Sequence, residues 1–149
     1  MKTIIQRVKS AKVVICDKEV ATIKEGLLLL LGIGADDTLE DADKLVEKVI
    51  NLRIFEDKVE KMNLSLKDIR GEILVVPQFT LYANTEGGRR PSFEKAKNPK
   101  EAKVLFGEFL KRLEQEGLKP QNGIFGEHML VSLENDGPVT IIVDTECNK

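Results

Sequence analysis

Apolar residues in the first third of the chain fall into short runs with the spacing of strands. Residues 2–8 and 11–16 (KTIIQRV and AKVVIC) are rich in β-branched side chains and read as two strands. Residues 19–23 read as a hairpin partner reached through a turn at Asp17 and Lys18, and 26–34 form a glycine-bounded apolar run suited to a strand buried on both faces. The period then changes. Thr38 with Asp41 forms a capping box, and Ala42, Leu45, Val46, Val49 and Ile50 recur every three or four residues, which predicts a helix ending near Arg53. A second helix opens at Asn98 with Pro99 in its first position and Glu101 completing a box; Ala102, Leu105, Phe109 and Leu113 form its stripe and Gly117 closes it. Between the helices, 72–76 reads as a strand entering 77–81. Near the end, 129–134 alternates as a half-buried strand, with 139–143 as its hairpin partner across the Asn135-Asp136-Gly137 turn. The fold class is α/β or α+β, with a mixed sheet layered against two main helices.

At 149 residues the chain reads as a single domain over 1–149, and its 42% hydrophobic fraction is ordinary for a globular protein. Lys2, Arg7 and Lys9 interrupt the start too early for a secretory segment, and the run at 27–31 is far short of a membrane span, so the expectation is a soluble cytoplasmic protein. Cys16 reads as a small buried hydrophobe and Cys147 as a near-terminal free thiol. A net charge of −2 excludes a global basic field, so any RNA contact must be local. His128 is the only histidine, which argues against a multi-histidine metal site and against a conventional triad. No cofactor is implied.

Four places hold polar groups worth weighing. Gln78, Phe79 and Thr80 follow a strand's C-terminal end, where open sheets present side chains and free backbone donors; the alternative is a strand continuing through a bend. Asn135-Asp136-Gly137-Pro138-Val139-Thr140 is a hairpin turn by spacing, yet proline after glycine removes a ladder donor and suits a backbone surface held against a ligand. The loop from Gly87 to Phe93 (GGRRPSF), continuing through Lys95, Lys97 and Lys100, is the only positive patch; it either holds phosphates or is a solvated loop. It lacks the Lys-Ser/Thr ending of a nucleotide P-loop. His128 precedes Met129 and points away from the Met129, Val131 and Leu133 face.

Taken in order, these motifs resemble the D-aminoacyl-tRNA deacylase family over essentially the whole chain. The match rests on the opening strand with Arg7, on Gln78-Phe79-Thr80-Leu81, on Arg90-Pro91-Ser92-Phe93, and on Phe125 to Met129 followed by Asn135-Asp136-Gly137-Pro138-Val139-Thr140. The resemblance implies a β2-(βα)2-β3 layered fold and a homodimer with two sites at its interface. It implies hydrolysis of the ester joining a D-amino acid, or glycine, to the 3′ end of tRNA, with L-esters spared. It further implies a cis Gly137-Pro138 bond facing Gln78, Phe79 and Thr80 of the other subunit, Arg7 holding that turn, and Ala102 and Phe125 lining the pocket. Backbone N–H groups and the substrate's 2′-hydroxyl, rather than a side-chain nucleophile, would then carry the chemistry. Pro77 stands where the family has serine, and Glu127 where it often has a small residue. Two rival readings are a non-catalytic RNA-binding module using the Arg89-Arg90 loop and an interface enzyme acting on a free small molecule.

Overall fold

The β-branched start of the chain forms one strand, not two. A computed structural model, which describes residues 1–146, places β1 at Lys2–Ile15, β2 at Lys18–Ile23, β3 at Gly26–Gly32, α1 at Leu39–Asn51, β4 at Phe55–Glu56 and β5 at Met62–Leu64. There follow α2 (Leu66–Ile69), β6 (Glu72–Pro77), a 3-10 turn (Phe79–Tyr82), α3 (Pro99–Gln115), β7 (Gln121–Asn122) and β8 (Leu130–Asp144). The turn between β1 and β2 carries Cys16 at φ 47°, exposed rather than buried, because a residue in a tight left-handed turn faces outward. Cys147 lies outside the described residues.

The sheet is mixed. Its order is β2-β1-β3-β6-β7, with β8 on the free edge of β1; β1 is antiparallel to β2, β3 and β8, while β3, β6 and β7 run parallel. Strand β3 is buried on both faces, as its leucine run predicts. Leu27, Leu29 and Leu31 join Ile5, Ile73 and Val75 against Leu45, Val49, Leu105 and Phe109 of the two long helices. Leu28 faces the other way, with Val8, Val13, Ile23, Leu74 and Val76, and half-buried Val131 and Leu133 close that second cluster. Burial of this many large apolar side chains supplies the main drive for folding, at about 1.5–3 kcal/mol for each one fully buried.

The helix signals hold with small changes. Thr38 donates its backbone N–H to Asp41 at 3.0 Å, and α1 stops at Asn51, two residues before Arg53. At α3 the cap is one-sided: Asn98 Oδ1 accepts the Glu101 N–H at 3.1 Å, while the exposed Glu101 carboxylate is not part of a box. Gly117, at φ 84°, reverses the chain so that the Leu118 N–H reaches the Leu113 carbonyl at 3.1 Å. An Arg112–Asp43 ion pair joins the two helices. The short elements β4, β5, α2 and β7 are each four residues or fewer, too short to impose a period on the sequence.

The end of the chain departs most from the sequence reading. No hairpin forms at Asn135-Asp136-Gly137; residues 130–144 are one strand lying along the full length of β1. Between Gln6↔Thr140 and Val8↔Asn135, β1 advances two residues and β8 five, so the segment around Gly137 and Pro138 bulges out of the ladder. The physical reason is β1 itself. At 14 residues it is long enough to pair with both halves of β8, and proline's missing N–H costs nothing at a position that leaves the ladder.

Candidate active site

Two groups of site residues form, at opposite ends of β3. The first follows β6. The Gln78 N–H donates to the Leu31 carbonyl at 2.8 Å, keeping the exit of β6 flush with the end of β3. The chain then tightens into the 3-10 turn, whose first bond runs from the Leu81 N–H to the Gln78 carbonyl at 3.3 Å. The Phe79 and Thr80 N–H groups precede that bond and so lie outside the turn's own ladder. Gln78 Nε2 donates to Thr80 Oγ1, both near the surface, and the Phe79 ring is 57% exposed.

The far end of this turn is anchored in the interior. Tyr82 is buried and its hydroxyl donates to Asp37 Oδ2 at 3.2 Å; Asp37 also accepts from the Gly34 N–H and the Met1 ammonium. Burial, then the adjacent Asp37 carboxylate, hold the Tyr82 phenol far above its ordinary range, so it remains a donor. A Cβ at Gly34 would come within 2.6 Å of the Tyr82 oxygen, so this approach requires glycine. Tyr82 and Asp37 are not singled out by the sequence, where the one available signal is that Tyr82 is the single tyrosine. Tyr82→Phe is expected to cost about 1.5 kcal/mol in urea unfolding, the value of one hydrogen bond to a carboxylate.

The second group surrounds the β8 bulge. Gly137 and Pro138 are exposed, joined by a cis peptide bond, and Gly137 has φ 132°. Beneath them Arg7 is 4% exposed. Its Nε donates to the Asp136 carbonyl at 3.0 Å and its Nη1 to the Ile54 carbonyl at 2.7 Å, with Glu56 at 3.5 Å from Nη2. Asn135 braces the other side: its Oδ1 accepts the Val139 N–H at 2.8 Å and its Nδ2 donates to Thr140 Oγ1 at 2.9 Å. Lys9 approaches Asp136 Oδ2 at 3.3 Å and Glu25 at 2.9 Å.

Arg7 pairs with Leu27, whereas the exit of β6 lies level with Gly32, five residues further along β3. At strand rise that separation is about 16 Å along the strand direction. Within one chain the Gly137 bulge and Gln78 therefore do not meet. Ala102, in the first turn of α3, is buried in the core cluster, and Phe125 packs on Phe106 with ring centroids 6.1 Å apart. Phe125 follows Gly123, whose N–H reaches the Val75 carbonyl at 2.9 Å, so it lies towards the Gln78 end. Pro77 ends β6 half-buried, and Glu127 and His128 are exposed. A cleft of about 450 Å³ bordered by Arg70, Glu72, Glu116 and Lys119 is at the other end of β6 and contains none of these residues.

Thr80 is partnered by Gln78, which is no base, so the turn offers donors rather than an activated nucleophile. Backbone donors at the end of a strand in a mixed α/β fold suit a hydrolase of activated acyl groups. The chain belongs to the D-Tyr-tRNA(Tyr) deacylase family, whose model matches residues 4–144. It is 54% identical to the D-aminoacyl-tRNA deacylase of Aquifex aeolicus over 97% of this chain and 98% of that one, and 49% identical to that of Clostridium perfringens over 99% of each. Among solved structures, it superposes on a c-Myc DNA unwinding element binding protein with a TM-score of 0.91 at 37% identity, covering 97% of this chain and 98% of the other. A probable eukaryotic D-amino acid tRNA deacylase gives a TM-score of 0.84 at 18% identity over 95% and 97%, a likeness of fold alone. No helix among the described residues is long and apolar enough to cross a membrane.

Proposed function

We propose that this chain is a D-aminoacyl-tRNA deacylase that hydrolyses the ester between a D-amino acid, or glycine mischarged on tRNA(Ala), and the 3′-terminal adenosine. The observation carrying this reading is near full-length identity of about half to relatives of that name. Water adds to the ester carbonyl, the carbon–oxygen bond to the ribose breaks, and the released 3′-oxygen takes a proton. An ester is already an activated acyl group. Backbone donors at Phe79 and Thr80 stabilise the developing oxyanion, Gln78 orients the substrate, and the neighbouring 2′-hydroxyl assists proton transfer.

Enantiomer choice falls to Gly137 and Pro138. An exposed backbone surface held rigidly against the substrate Cα leaves room for hydrogen and none for an L-side chain, and so needs no attractive pocket. The separation of about 16 Å between Gly137 and Gln78 along the strands of one sheet supports a turn that serves the site of a second copy. On this reading the enzyme is a homodimer with its sites at the interface, where Ala102 and Phe125 line the pocket and Arg7 holds the turn. It binds tRNA through the Arg89-Arg90 loop and works in the cytoplasm as a single domain without cofactor.

The test is to incubate the protein with paired D- and L-aminoacyl-tRNAs and follow released amino acid. Cleavage of the D-ester alone is expected; equal cleavage of both, or of neither, would overturn the reading, and RNA binding without cleavage would favour a non-catalytic module. Thr80→Val is expected to keep turnover within about tenfold, below the 10²–10⁴ contribution of a general acid or base. Near-total loss with tRNA binding intact would assign the chemistry to the hydroxyl.

A further inference from the structure

The loop that leaves the 3-10 turn is tied at its neck and free at its tip. Asn84 and Ser92 exchange backbone hydrogen bonds of 2.8 and 3.0 Å across the neck. The return segment is fastened to the end of β3 by Ala35 N–H to the Lys95 carbonyl and Lys97 N–H to the Ile33 carbonyl, both 2.9 Å. At the tip, a Cβ on Gly87 or Gly88 would meet nothing within 4 Å. Arg89, Arg90 and Lys95 are exposed, and among the described residues none of them forms an ion pair. On a chain of net charge −2, this loop sets exposed cations outside any ion pair against only Glu86 and Glu94, a local excess that suits a polyanion.

One side chain links this loop to the catalytic turn. The half-buried Phe93 ring meets Phe79 edge-on, with centroids 4.9 Å apart and planes inclined at 72°. Phe79 opens the turn that offers the backbone donors, so this ring contact ties the return side of the loop to the segment that carries them. Binding energy from remote parts of a substrate raises turnover when it orients the reacting centre, and a truncated substrate then loses kcat as well as affinity.

We propose that Phe93 is a positioning residue that couples tRNA phosphates held by Arg89 and Arg90 to the Phe79–Thr80 backbone, so that full activity requires nucleotides beyond the terminal adenosine. This rests on the deacylase reading above. Phe93 touches no reacting atom; it acts through Phe79.

The experiment compares kcat and KM on a D-aminoacyl-tRNA and on the matching D-aminoacyl-adenosine for the wild type, Phe93→Ala, Phe93→Tyr and Arg89→Ala/Arg90→Ala. The wild type is expected to turn over the tRNA about 100-fold faster than the nucleoside ester, the scale of loss that a misplaced reacting group brings. Phe93→Ala removes most of that advantage through kcat and leaves nucleoside turnover unchanged, while Phe93→Tyr restores it. The double arginine variant, altered only at an exposed tip, loses the same advantage and lowers the salt slope of tRNA binding by about 1–2. Equal loss on both substrates in Phe93→Ala, no loss on either, or a wild type that cleaves both esters equally well would overturn the coupling. A wild type inactive on both D-esters would instead overturn the deacylase reading itself.

Discussion

Gly137→Ala is expected to abolish useful turnover of D-aminoacyl-tRNA, with kcat/KM falling about 100-fold, the cost of a displacement near 1 Å at a reacting site. The backbone at Gly137 has φ 132°, a region that side-chain-bearing L-residues avoid at about 1–3 kcal/mol. The new Cβ would also meet Val139 Cγ2 at 2.7 Å and Arg7 Nη2 and the Val139 nitrogen at 3.1 Å each. Neither neighbour gives way freely: Val139 is buried, with its N–H held by Asn135, and Arg7 is held by two carbonyls. The bulge must therefore shift outward, into the space that the proposed chirality test assigns to the substrate Cα. Parallel urea denaturation and single-turnover assays on the D-ester check this. A variant that loses stability yet keeps kcat/KM would remove the bulge from the active site.

Arg7→Met is expected to destabilise the protein by about 2–4 kcal/mol, because the buried bond to the Ile54 carbonyl and the part-buried bond to the Asp136 carbonyl both lose their donor. The ion pairs contribute less than their number suggests, since Glu56 is 54% and Asp136 32% exposed and water screens both. Methionine fills much of the volume and restores none of the bonds. Arg7→Lys does little better, because one ammonium cannot reproduce a fork that serves the Ile54 and Asp136 carbonyls together. Turnover of the D-ester should fall alongside stability. Since Arg7 and Gly137 act through one bulge, the double variant should cost clearly less than the sum of the two singles. Simple additivity, in a denaturation and activity cycle, would show that Arg7 supports the fold without holding the turn.

The local signals explain how much was legible beforehand. Asn98 and Pro99, the Thr38–Asp41 cap and the leucines of β3 act over a few residues, and their geometry is dictated by backbone chemistry, so the two long helices and the central strand could be read directly. The same holds for Gln78 at a strand end. The alternation on either side of Asn135 is equally legible, but a local pattern cannot say whether two strands face each other or continue end to end. β1 decided that, since a strand of this length offers a ladder to both halves at once.

Sequence by itself therefore determined the residue types: a glycine followed by a proline, an arginine in the first strand, and a donor-rich segment after the central strand. Only the tertiary structure decided that Gly137 and Pro138 form an exposed bulge over a buried Arg7, that Tyr82 roots the 3-10 turn on Asp37, and that Phe93 joins the basic loop to Phe79. Each depends on contacts between residues far apart in the chain, and such contacts leave no period in the local pattern.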